Sequence, residues 1–152
     1  MTTEDGPIRP TPPGPVRASF WILIVSAAFR VFIAILTVAS WNSVINSAMQ
    51  SVPKGTTRAQ WLSDVHTILI ANIVLDLVFA ALYVLFAYMV RQGRNWARMT
   101  ITAIVVLFGL YDIFTSSNLI TLISVIVELV AVGLLFLQAS KEYFAQVRAG
   151  RQ

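Results

Sequence analysis

Cysteine is absent from the 152 residues, which excludes a disulfide framework, thiolate metal sites and a cysteine redox relay. The single histidine, His66, leaves zinc and haem with almost none of their usual ligands. No Gly-rich phosphate loop and no serine nucleophile motif occur, and Asp64 beside His66 has no second histidine to work with, so a hydrolytic triad is unsupported. The expected catalytic residues, metal ligands and cofactors are therefore none. Charge is scarce as well: 12% of residues are charged and 57% hydrophobic, against about a quarter and about half in an ordinary soluble domain. A soluble domain of this length buries only about two-thirds of its chain surface, so it would wear a large sticky exterior. Lipid is the expected solvent.

A hydrocarbon core about 30 Å thick needs about 20 apolar residues in a helix. Four runs meet that length, at about 19–41, 65–90, 96–115 and 118–138. The expected fold is all-α, an integral membrane four-helix bundle. A tail at 1–17 precedes it, the four-span domain covers 18–147 with an outer loop at 42–64, and a short tail at 148–152 follows. The Ser116–Asn118 turn is so short that spans three and four form an antiparallel hairpin.

Basic residues are held on the cytoplasmic face of a plasma membrane. Arg9, Arg17, Arg91, Arg94, Arg98, Lys141, Arg148 and Arg151 fall on one side of this topology, and Lys54 and Arg58 on the other. With an even number of spans, both termini are expected in the cytoplasm. The net charge of +4 then reflects topology and anionic lipid headgroups, and nucleic acid is not an expected partner. Arg91, Arg94 and Arg98 read as cytoplasmic anchors and lipid-phosphate contacts.

The tail MTTEDGPIRPTPPGPVRA holds five of the six prolines and is expected to be extended and disordered. The apolar run behind it is too long for a signal peptide and carries Arg30, so it persists as a span. Pro10 with Pro13 and Pro12 with Pro15 satisfy a PxxP spacing that could dock in an aromatic groove of a partner, but a flexible lead-in to a membrane helix is the favoured reading. In the outer loop, Val44, Ile45, Ala48, Met49 and Val52 continue a helical spacing until Pro53 and Gly55 stop it. Thr57 and Gln60 then form a capping box that starts the next helix near Arg58. Trp21, Trp41, Trp61 and Trp96 fall near span boundaries, where indoles sit half wet, and His66 reads as an interface residue.

The candidate site is the set of ionisable residues that the spans must bury: Arg30, Asp76 and Glu128, with Asp112, Asn72 and Ser124 as secondary polar groups. A lone charge at mid-bilayer costs from about 2.5 to over 10 kcal/mol, so each is expected to face protein or water. Arg30 is expected to pair with Glu128, Asp76 or both. Helical spacing aligns Ser26, Arg30 and Thr37 on span one, Asn72, Asp76 and Tyr83 on span two, and Thr121, Ser124 and Glu128 on span four. Such a seam serves as packing glue, as a charge awaiting its opposite on another subunit, or as an ion or proton path, and the first two, both structural, are favoured. One arginine against two deep carboxylates leaves a surplus of negative charge.

The Pro-rich start running into SFW at Ser19–Trp21, followed by four spans with GRNWAR at Gly93–Arg98, resembles small multi-pass membrane proteins of actinobacteria. The resemblance implies a plasma-membrane protein of a mycolate-type envelope. It further implies an accessory subunit of a larger envelope machine, such as a lipid importer of the mammalian-cell-entry type or a respiratory supercomplex. The function expected is thus non-enzymatic: lateral helix packing on a larger membrane complex, in contact with lipids. The alternative is a small homo-oligomeric transporter or proton-coupled carrier using Asp76 and Glu128.

Overall fold

A computed structural model describes residues 10–115 and 118–150. All regular structure among them is helical: α1 Gly14–Ala39, α2 Trp41–Ala48, α3 Arg58–Arg91, α4 Asn95–Thr115, α5 Leu119–Leu134 and α6 Gln138–Ala149. Helices α1, α3 and α4 are each long and apolar enough to cross a membrane. Their 26, 34 and 21 residues correspond to about 39, 51 and 32 Å of helix, against about 30 Å of hydrocarbon.

The fourth span departs from expectation. The apolar run at 118–138 divides into α5, whose 16 residues reach only about 24 Å, and α6, which turns away by 54° after a three-residue break. The pair passes as a span only when taken together, so the described residues hold three helices long and apolar enough to cross a membrane, or four with the bent pair. No proline or glycine sits at Leu135–Leu137. The break is held instead by partners for α5's last carbonyls, which a helix end leaves without an intrahelical donor. Leu135 N–H donates to Val132 O and Phe136 N–H to Gly133 O, while the Ser140 hydroxyl donates to Leu134 O at 2.8 Å and Arg98 Nη1 to Leu135 O at 3.4 Å.

Helix α1 also begins earlier than the expected tail allows, at Gly14, and makes residues 14–17 helical. Pro15 is the second helical residue, where its missing N–H costs no hydrogen bond. The Pro10–Pro13 spacing precedes the helix and Pro12–Pro15 runs into its first turn. Arg9, Arg151 and Ser116 lie outside the described residues. Asn118 caps α5 by accepting the Thr121 N–H at 2.9 Å.

By contact, the chain forms two compact units, Met1–Ser26 with Tyr83–Gln152, and Ala27–Leu82. In the first, α4 and α5 pack antiparallel. Ala97, Ile101, Val105 and Gly109 are buried along α4, and Val125, Glu128, Ala131 and Val132 along α5. Gly109 lets the two helices approach closely there, since a Cβ would meet Val125 Cγ1 at 3.0 Å and Val125 would have to give by a few tenths of an ångström.

In the second unit, backbone hydrogen bonds continue across Ser40, so α2 follows α1 after a bend, at which the Ser40 hydroxyl bonds back to Leu36 O. Trp61 Nε1 donates to Ala48 O at 2.8 Å, which satisfies a carbonyl at α2's end. The capping box is reciprocal, with Thr57 N–H donating to Gln60 Oε1 at 3.1 Å and Gln60 N–H to Thr57 Oγ1 at 3.3 Å. His66 stacks on Trp41 with ring centroids 5.6 Å apart.

Candidate functional site: buried charge and its partners

Arg30 on α1 and Asp76 on α3 meet within the second unit, with Nη1 3.5 Å from Oδ1. Their side chains are 9% and 23% exposed. Removing two ions from water is costly, and their attraction offsets that cost only while both are present, so deleting one partner of such a pair costs about 3–5 kcal/mol. Asp76 lies nearer the surface than Arg30. Asn72, one helical turn earlier on the same face of α3, is exposed.

Glu128, on α5 in the first unit, is 2% exposed. The fully buried Tyr83 on α3 donates its hydroxyl to Glu128 Oε2 at 2.7 Å. Tyr83 thus supplies a hydrogen bond to the carboxyl group and no charge.

The secondary polar residues behave differently from a shared seam. Ser124 bonds back to Ile120 O at 3.0 Å and Thr37 to Ile33 O at 2.9 Å, the usual way a helical hydroxyl satisfies itself on its own helix. Thr121 is drawn into the Asn118 cap. Asp112 is half-buried near the end of α4.

The three anchor arginines diverge as well. Arg91 lies over the Phe20 ring at 5.0 Å. Arg94 is half-buried, and its Nε has no hydrogen-bond partner among the described residues. The Arg98 guanidinium packs over Phe136 at 4.8 Å and Phe144 at 5.1 Å while donating to Leu135 O. Aromatic faces attract a planar cation and hold its orientation.

Helix α6 makes this end of the first unit. Ser140, Tyr143 and Phe144 are buried at helical spacing, and the Tyr143 hydroxyl donates to Arg91 O at 2.7 Å. Between α3 and α4, Arg94 N–H donates to Met89 O and Gly93 N–H to Val90 O. Together they form a Schellman closure with Gly93 at φ +74°. A Cβ on Gly93 would lie 2.7 Å from Val147 Cγ2, so the turn and α6 fit only around a glycine.

Sequence reasoning missed Tyr83 as the carboxylate's partner and missed the aromatic seat of Arg98. A tyrosine inside an apolar helix signals a need for a hydroxyl partner, but nothing local names which one. The chain matches no family model, no curated protein and no solved structure.

Proposed function

We propose that this chain is a multi-pass plasma-membrane protein with both termini cytoplasmic, acting without catalysis as an accessory subunit that docks laterally on a larger membrane complex and stabilises or regulates it. The observation that carries this reading is the polar patch midway along α3. Asn72 is exposed and Asp76 is 23% exposed on the same face of a helix long and apolar enough to cross a membrane. Polar groups at that depth are costly against acyl chains and are normally covered by protein or water. A partner helix laid along this face would cover both. Glu128 supports the same reading, because its carboxylate is engaged by Tyr83 as an internal hydrogen-bonded group.

The test is purification of the tagged chain from its native membrane in mild detergent, followed by mass spectrometry. A stoichiometric, larger membrane partner that is lost on Asn72→Leu, which leaves the Arg30–Asp76 pair intact, is the expected result. Recovery of a monomer, or of a homo-oligomer alone, would defeat the reading; a homo-oligomer would favour a small carrier.

A further inference from the structure

The first unit carries an open cleft of about 370 Å³ where the start of α4 meets the exposed edge of α6. Three cations line it: Arg98 from α4, and Lys141 and Arg148 from α6. Lys141, Ala145 and Arg148 follow each other at i, i+4 and i+7, which places them on one face of α6, and the small Ala145 leaves room between the two basic chains. None of the lining side chains is acidic. Glu142, the acidic neighbour of Lys141, has its Oε1 in hydrogen-bonding distance of Gln138 Nε2, 3.2 Å away.

Three like charges around one volume repel each other, and an anion placed among them converts that repulsion into attraction. Arg98 is already oriented by its two aromatic rings and the Leu135 carbonyl. Asn95, the first residue of α4, also lines the cleft, so the positive end of that helix adds to the field. The ligand that fits is compact, multiply oxygenated and negative. The volume equals that of about a dozen waters, which exceeds one phosphate group and leaves space for what the phosphate is attached to.

From this geometry we infer that the cleft formed by Arg98, Lys141 and Arg148 binds a phosphate group, carried either by an anionic phospholipid headgroup or by a soluble phosphate. The inference is independent of whether α3 docks on a partner.

The experiment uses the full chain in maltoside micelles, titrated with phosphatidylglycerol, phosphatidylcholine or inorganic phosphate and read by native mass spectrometry. Lys141→Ala with Arg148→Ala is compared with Lys54→Ala with Arg58→Ala, which removes the same charge elsewhere. Lys141 and Arg148 are exposed, so the fold is expected to persist, and helical content by circular dichroism verifies it. Wild type should prefer phosphatidylglycerol to phosphatidylcholine, and the cleft variant should lose affinity about tenfold or more while the control keeps it. Retention of bound phosphatidylglycerol against excess inorganic phosphate identifies a lipid headgroup as the source. Displacement by inorganic phosphate, itself retained by wild type and lost by the cleft variant, identifies a soluble phosphate. Equal binding of the two lipids, or equal loss in the cleft and control variants, would overturn the proposal.

Discussion

The Tyr83 hydroxyl donates to Glu128 Oε2 at 2.7 Å, and both side chains are buried. Removing one partner of a buried hydrogen bond takes away part of what offsets the other's desolvation. Tyr83→Phe, which keeps the ring and deletes the donor, is expected to lower stability by about 1–3 kcal/mol. In the Glu128→Leu background the same change should cost much less. Denaturant unfolding in micelles measures both, and equal costs would show that the hydrogen bond is not the cause.

For the pair in the second unit, Arg30→Ala is expected to destabilise by about 3–5 kcal/mol by stranding Asp76. Arg30→Ala with Asp76→Ala should recover part of that loss, so the two changes should be clearly non-additive. Strict additivity in a double-mutant cycle would mean that the 3.5 Å approach contributes nothing.

Gly93 is constrained twice, by φ +74° and by Val147 at 2.7 Å from a built Cβ. Gly93→Ala should therefore cost about 1–3 kcal/mol, from the backbone conformation and from overpacking. Adding Val147→Ala removes the overpacking and leaves the backbone cost. A thermal melt unchanged in Gly93→Ala would contradict both constraints.

Arg98→Lys keeps the charge but loses the planar group that covers Phe136 and Phe144. A loss of about 1 kcal/mol is expected from weakened cation–π contact. The tryptophan emission of Trp96, two residues away on α4, offers a local reading of the same change.

Much of the fold was legible because its signals are local. Hydropathy marked the long helices, and Thr57 and Gln60 announced the start of α3 three residues apart. The bend after Leu134 was not legible, since Gly133 is the sole local mark beside it and its carbonyls are satisfied by Ser140 and by Arg98, 37 residues from Leu135 along the chain. The site followed the same division. Periodicity put Arg30 and Asp76 on polar stripes, and they do meet. It also put Tyr83 on a stripe, but a stripe defines a face and does not say what lies opposite it. Thr37 and Ser124 shared that periodicity and satisfied themselves on their own helices, which a hydroxyl can do and a carboxylate cannot.

The most direct measurement is photo-cross-linking in the native membrane from a benzoylphenylalanine placed at residue 72, with one at Ile126, exposed on α5, as the comparison. The account predicts that position 72 captures one larger membrane polypeptide and that position 126 does not. Lipid adducts alone at position 72, or cross-links only to another copy of this chain, would contradict it.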